Sequence, residues 1–164
     1  KEIAFISEFA ARDTAQGLAK LLEWVGDPQI VVDGLHAIVS QKLLRVLCND
    51  CKQAFRPNPK LLKKVGLPPK TKVLYRPGQP DPEDPEDEPC EVCGGLGYFG
   101  RAGMFEMLEM TDGMREAILG GADVAAIKSK MREERMPSFQ SEGLRLVAEG
   151  RTSLDELQRT FKSK

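Results

Sequence analysis

Four cysteines in two C-x-x-C pairs constrain the fold of this chain more than any other feature. Cys48 and Cys51 form the first pair, and Cys90 and Cys93 form the second. Two residues between thiolates allow one tight turn to direct both sulfurs at one tetrahedral ion, and two such turns complete a closed structural site. The spacing therefore predicts a metal site that joins two distant parts of the chain, with zinc as the expected metal.

Other uses of four cysteines fit the sequence less well. A disulfide framework is typical of smaller, exported domains, and no exporting leader opens this chain. A single C-x-x-C could be a thioredoxin-like redox pair, but two matched pairs favour a shared ion. An iron–sulfur cluster also uses four cysteines, although this spacing is not one of its familiar patterns. These alternatives remain open at the level of sequence.

The residues around the cysteines suit a charged metal site. Gly94 and Gly95 follow the second pair, and glycine readily adopts the positive φ with which backbone N–H groups turn back toward sulfur. Arg45, Lys52 and Arg101 are near the cysteines in sequence and could offset the formal −2 charge of a zinc tetrathiolate.

Charge and hydropathy exclude several partners. The chain has 164 residues, and 24 Lys and Arg against 25 Asp and Glu give a net charge of −1. That balance lacks the basic surface that drives nucleic-acid binding. No apolar run approaches the roughly 20 residues of a membrane span, so we expect no direct membrane insertion. Because the chain starts at Lys1 and enters an apolar segment at once, we expect it to be a piece of a longer protein.

Hydrophobic spacing and turn residues predict a helix-rich α+β chain. Residues 2–9 have the composition of a short buried strand, and a helix should run from Asp13 to about Val25. A second helix should begin at Pro28 and continue to Cys48, with His36 partly buried in its packing. A strand through Met104 and Met110 should place Phe105, Met107 and Glu109 on one face. The other expected elements are a short helix over 60–65, a brief strand over 73–75, helices over 112–119, 123–135 and 138–149, and a last helix that begins with a capping box at Ser153.

Residues 77–89 stand apart in composition. Six acidic residues alternate with prolines there, and such a segment repels itself and cannot form a core. We expect a mobile loop between the two halves of the metal site.

No catalytic constellation is present in this sequence. It lacks a G-x-x-x-x-G-K-[ST] phosphate loop, a nucleophile elbow and a histidine partner for a cysteine nucleophile. The chain by itself is therefore not expected to be an enzyme.

Three segments, in this order, resemble the type II secretion and type IV pilus assembly ATPases, which are RecA-like hexameric motors. The run from Gln41 to Cys51 resembles the family segment QRL-x-R-x-LC-x-x-C. Cys90 to Gly103 is similar to the second cysteine turn of the family, and 142–156 resembles its C-terminal helix pair. The resemblance implies a chain with three parts: the end of a RecA-like α/β domain (1–47), a tetracysteine zinc domain (48–110) and a C-terminal helical subdomain (111–164).

The resemblance also carries expectations about the nucleotide. The phosphate loop would lie upstream of Lys1, so ATP and Mg²⁺ would bind only to the longer parent protein. Ala10 stands where the family's H-x-[NR]-D box has its histidine, and this departure implies a parent with a degenerate nucleotide site. Asp13 matches the box, although helix capping explains it equally well. Arg101, on the turn that leaves the second cysteine pair, is a candidate for nucleotide contact.

The resulting hypothesis is a non-catalytic, zinc-stabilised coupling module of a secretion or pilus motor. Its implied partners are the other subunits of a homo-hexamer and the platform of the inner membrane, with a cytoplasmic location at that membrane. The alternative is a zinc-ribbon module that binds nucleic acid or protein and is unrelated to ATP hydrolysis. A chaperone-like zinc domain or a redox role ranks lower.

Overall fold

The computed structural model describes residues 4–80 and 88–162. The described residues form a helix-rich α+β chain, as predicted. Its helices and strands are, in chain order, α1 Thr14–Val25, α2 Pro28–Gly34, β1 Ala37–Leu47, β2 Gln53–Phe55, α3 Pro59–Val65, β3 Leu74–Arg76, β4 Tyr98–Glu109, α4 Asp112–Leu119, α5 Val124–Glu133, α6 Phe139–Ala148 and α7 Leu154–Lys162.

Short polar side chains start most of the helices, in agreement with the sequence signals. At α1 the carboxylate of Asp13 accepts a hydrogen bond from the N–H of Gln16 at 2.9 Å. Such a cap satisfies one of the N–H groups that the first turn of a helix leaves unpaired. The helix ends at Gly26, whose φ of 74° is the left-handed conformation that favours glycine. The predictions for α1 and for α3 to α7 are confirmed within about two residues.

The second predicted helix is too long, because its C-terminal half forms a strand. Helix α2 ends at Gly34, and β1 occupies the residues that lead to Cys48. The apolar residues of this stretch have helical spacing, but its β-branched residues fit a strand equally well. Pairing with β4 decides between the two: the carbonyl of His36 accepts from the N–H of Met110 at 2.9 Å, and the N–H of Cys48 donates to the carbonyl of Gly97 at 3.0 Å. A strand, not a helix, therefore brings Cys48 to the cysteine turns.

The strand predicted over residues 2–9 is wrong for residues 4–9, which have no regular secondary structure. Residues 2 and 3 lie outside the described range. Phe5 and Ile6 are 86% and 95% exposed. A strand needs a partner to satisfy its backbone groups, and among the described residues the only paired strands are β1 with β4 and β2 with β3.

The chain divides into two compact units, each built from two separate segments. Unit 1 comprises Lys1–Ser40 and Phe105–Ser138, and unit 2 comprises Gln41–Met104 and Phe139–Lys164. The predicted division at residues 47 and 110 concerns the domains of a longer protein and stays a prediction.

Unit 1 has an aliphatic and methionine-rich core, as the low aromatic content requires. Helices α1, α2, α4 and α5 contribute to it together with the end of β4. Met110 and Met114 are buried there, so methionine serves as core packing. Thr14 is also buried, and both its N–H and its hydroxyl donate to a carboxylate oxygen of Glu106 at 2.8 Å.

Unit 2 contains the cysteine turns and its own core. Its buried members are Leu44, Leu62, Leu67, Leu74, Met104, Phe139, Leu146, Val147 and Leu157. On β4 the buried face holds Ala102 and Met104, so the face predicted for Phe105 is the more exposed one. The short antiparallel ladder of β2 and β3 pairs Gln53 with Arg76 and Phe55 with Leu74.

Candidate metal centre

Two tight turns of unit 2 present the four cysteines to one another. The first turn follows β1, and the N–H of Lys52 closes it by donating to the carbonyl of Cys48 at 3.0 Å. The second turn precedes β4, and the N–H of Gly97 donates to the sulfur of Cys93 at 3.2 Å. Gly94, Gly95 and Gly97 have φ between 61° and 78°, so glycine supplies the conformation that the sequence predicts for this turn.

The four sulfurs lie within 4.8 Å of one another and could hold a metal ion. Across the two turns, the sulfurs of Cys48 and Cys90 are 3.9 Å apart, and those of Cys51 and Cys93 are 3.6 Å apart. In a tetrahedral zinc site with Zn–S distances of about 2.3 Å, each pair of sulfurs is about 3.8 Å apart. All four cysteines are free, and these separations are far beyond the S–S bond length of about 2.05 Å. These two separations are compatible with one tetrahedral ion, and the sulfurs are not joined as disulfides.

The surroundings of Cys51 and Cys93 shift the pKa values of these two thiols in opposite directions. Burial and hydrogen bonding to the other thiols raise the pKa of Cys51 to about 12. Burial also opposes ionisation of Cys93, but the N–H of Gly97 and the neighbouring thiols outweigh it and lower the pKa of Cys93 to about 7. Of these two thiols, Cys93 therefore ionises more readily than Cys51. A metal ion that binds all four as thiolates displaces the remaining protons.

The three basic residues that we expected to offset the thiolates have other contacts. The guanidinium of Arg45 binds the carboxylate of Glu156, and the ammonium of Lys52 donates to Asn49 Oδ1 at 2.8 Å. Arg101 is exposed on β4. Among the described residues, none of the three donates a hydrogen bond to a cysteine sulfur, so their role as counter-charges stays a prediction.

Sequence reasoning missed the buried carboxylate of Glu156. Its side chain is fully buried and accepts hydrogen bonds from Arg45 Nη2 at 2.7 Å and Arg159 Nη2 at 2.7 Å. Burial alone would raise the pKa of this carboxyl, but the two guanidinium groups outweigh it and lower the pKa of Glu156 to about 2. The sequence predicts only a capping box here, and Ser153 Oγ does accept a hydrogen bond from the N–H of Glu156 at 3.1 Å. The Glu156 side chain, however, binds the two arginines. The only sequence signal is the matching charge of Arg45, 111 residues earlier.

The remaining candidates of the nucleotide hypothesis lie in unit 1. Asp13 caps α1 and also accepts from the ammonium of Lys128 at 2.7 Å, so its capping role is confirmed. Ala10 is exposed, and its carbonyl accepts from Lys20 Nζ at 2.8 Å. His36 is exposed as well, which corrects the expectation of a partly buried packing residue.

Two further predictions concern membrane insertion and the acidic loop. Within the described ranges, every helix is too short or too polar to cross a bilayer. The acidic stretch of the predicted mobile loop, residues 81–87, lies outside the described residues.

Fold and site together define a class: a helix-rich α+β protein in which two C-x-x-C turns converge on one possible ion site. Comparison with known families then identifies the chain, because the sequence model of the type II/IV secretion system protein family matches residues 5–159. The chain belongs to this family. It is also similar to the type IV pilus assembly ATPase PilB of Thermus thermophilus, with 32% identity over 155 residues. That match covers 93% of the chain but only 16% of the length of PilB.

Proposed function

We propose that this chain is a zinc-stabilised structural and coupling module of a type II secretion or type IV pilus motor ATPase. The observation that carries the proposal is the convergence of four thiols from two distant turns, in a chain of this family. All four donors are soft sulfur ligands, which zinc accepts in closed structural sites with no open coordination position. Such a site supports folding rather than catalysis.

The donor geometry favours zinc over a multi-iron cluster. Cross-turn sulfur separations of 3.6 Å and 3.9 Å fit the edge of a tetrahedron around one ion. An iron–sulfur cluster places several atoms between its cysteines and would hold the sulfurs farther apart. Bound zinc would contribute stability to unit 2; small zinc-finger peptides gain about 10–16 kcal/mol from their metal.

The experiment is a metal and thiol count on protein that is purified without added metal. One zinc per chain, with four thiols that react with a thiol reagent only after chelation, supports the proposal. Two disulfides and no metal would overturn it, and iron in place of zinc would overturn the choice of metal. A Cys51→Ser variant is the negative control for the first turn, and a Cys93→Ser variant tests the other turn.

In the longer protein, we propose a hexameric ATPase whose nucleotide site is degenerate. Ala10 supports this proposal because it replaces the histidine of the family box, and exposed Arg101 is a second candidate for nucleotide contact. Its proposed partners are the neighbouring motor subunits and the inner-membrane platform, on the cytoplasmic side. Steady-state ATP hydrolysis by the longer protein tests the Ala10 idea. Slow turnover that Ala10→His raises supports it, whereas robust turnover without that change contradicts it.

A further inference from the structure

Four residues of unit 2 form a closed ring of contacts, which we call the support ring: Glu156, Arg45, Tyr98 and Ser153. Glu156 accepts from Arg45 Nε at 2.8 Å and from the N–H of the same residue at 3.0 Å. The Arg45 guanidinium lies 4.2 Å from the centre of the Tyr98 ring. The Tyr98 hydroxyl is 2.7 Å from Ser153 Oγ, which in turn accepts from the N–H of Glu156. Each member therefore contacts two others, and the last contact returns to the first residue.

The support ring contacts the backbone next to both cysteine turns. Arg45 lies on β1 three residues before Cys48, and Tyr98 directly follows Gly97, which donates to the Cys93 sulfur. The two cysteine turns are also joined by the hydrogen bond from the N–H of Cys48 to the carbonyl of Gly97 at 3.0 Å. A shift of Arg45 or Tyr98 would thus be transmitted over a few bonds to a cysteine of each turn.

The turn between α6 and α7 makes three hydrogen bonds to β1 and to the first cysteine turn. The carbonyl of Arg151 accepts from the N–H of Leu47 at 2.9 Å. The hydroxyl of Thr152 donates to the carbonyl of Arg45 at 2.8 Å, and Lys52 Nζ donates to the carbonyl of Gly150 at 3.3 Å. Gly150 is required there, since its φ is 68° and a Cβ would lie 2.6 Å from the Tyr75 ring. The C-terminal helix pair is therefore bound directly to the strand that leads into the metal site.

Stability alone does not explain why the carboxylate of Glu156 is buried against two half-exposed arginines. Removing a carboxylate from water is costly, and apolar replacements of buried ion pairs are often as stable. The geometry provides orientation. Arg159 donates Nε to Oε2 and Nη2 to Oε1, whereas Arg45 donates Nε and Nη2 to Oε2 and its backbone N–H to Oε1. Donors on both oxygens fix the position and the angle of the carboxylate.

We propose that the support ring positions the metal centre: Glu156, Arg45, Tyr98 and Ser153 fix the separation of the two cysteine turns and so slow the release of bound metal. This inference rests on the proposed function, because it requires a metal in the site. Residues that orient metal ligands from outside the coordination shell typically change metal affinity by about 10–100-fold when they are replaced.

The test is the rate at which the zinc-loaded chain transfers its metal to an excess of a chromogenic chelator at pH 7.5. Glu156→Gln removes the negative charge of Glu156 but keeps the size of its side chain. Tyr98→Phe removes only the hydroxyl that contacts Ser153. We expect transfer about tenfold faster for Glu156→Gln and a smaller acceleration for Tyr98→Phe.

Two controls separate positioning from general destabilisation. Glu142→Gln makes the same chemical change at an exposed pair with Arg145 in the same unit. Leu62→Ala removes a buried core side chain of unit 2 that is not a member of the ring, and it should lower the stability of the unit. Both controls should release zinc at the wild-type rate under conditions where they are folded by circular dichroism.

The outcomes are distinct. A wild-type chain that holds no zinc overturns the proposed function and this inference with it. A zinc-loaded wild type whose ring variants release metal at the wild-type rate, or no faster than Leu62→Ala, overturns the inference alone. If Glu156→Gln does not fold, Tyr98→Phe decides, because it leaves the ion pair in place.

Discussion

Gly143 lies in the middle of α6, where helix propensity and side-chain packing predict opposite effects of a change to alanine. Glycine in a helix interior is less favourable than alanine by about 1 kcal/mol, so propensity alone predicts that Gly143→Ala stabilises the chain. The structure predicts the opposite. A Cβ at this position would overlap a methyl carbon of Leu157 and lie 2.9 Å from the Met104 sulfur. Both neighbours are buried core residues of unit 2, so neither can move aside freely.

The magnitude follows from these two opposed effects. Overpacking a dense core costs about 1–3 kcal/mol, and the gain in propensity returns about 1 kcal/mol. The net effect should be a loss of up to about 2 kcal/mol, or a fall of up to several degrees in the unfolding temperature of a chain of this size.

The assay is equilibrium unfolding in urea, with Gly17→Ala as the matched control. Gly17 lies inside α1, and a Cβ there would make ordinary contacts at 3.6 Å or more. The control should therefore gain up to about 1 kcal/mol from propensity. The two glycine-to-alanine changes are expected to have opposite signs. If Gly143→Ala stabilises the chain as Gly17→Ala does, the packing between α6 and α7 is not as close as described.

Three further predictions concern charge, capping and metal. Glu156→Gln should cost about 2–3 kcal/mol at pH 7, since the arginines lower the carboxyl pKa from 4.5 to about 2 and are themselves half exposed. The stability that the charged carboxylate contributes is present above pH 4.5 and is lost as the pH falls toward 2. The difference in unfolding free energy between the wild type and Glu156→Gln, measured in urea, should therefore be smaller at pH 3 than at pH 7. A difference that does not change with pH would contradict the low pKa of Glu156. Asp13→Ala should lower the free energy of unfolding by about 1 kcal/mol more than Asp13→Asn does, because asparagine can still cap α1 and the Asn variant loses only the ion pair with Lys128. Equal losses of stability in thermal unfolding would show that the cap contributes little. A strong chelator should lower the unfolding temperature of the wild type and leave that of Cys51→Ser unchanged, and a chelator-sensitive Cys51→Ser would argue against a four-cysteine site.

The elements that sequence reasoning predicted well are those with local determinants. Helix α1 follows from Asp13 and Gly26, and the convergence of the cysteines follows from their C-x-x-C spacing. The signals themselves are local, since a cap or a terminal glycine lies beside the helix end that it defines and each C-x-x-C pair forms one turn, although the two turns that converge are 42 residues apart.

The failures involve long-range partners. Residues 37–47 carry both helical spacing and β-branched side chains, and only the pairing with β4, some sixty residues away, decides for a strand. The same holds for the expected strand at residues 4–9, for which the described residues offer no partner. The pair of Glu156 with Arg45 is longer in range still, and a charged residue in a capping box is expected at the surface, not in the interior.

Because unit 2 is built from two separate segments, its cysteine turns are synthesised before its C-terminal helices. All four cysteines leave the ribosome before Phe139, the start of the segment that supplies α6, α7 and the buried Glu156. At about 5–20 residues per second, the roughly 45 residues between Cys93 and Phe139 take about 2–9 s to add. For those seconds the nascent thiols exist without the helices that later hold their turns in place. If the support ring slows metal release as proposed, metal captured before the C-terminal helices form would be released faster than metal held after the end of the chain has folded.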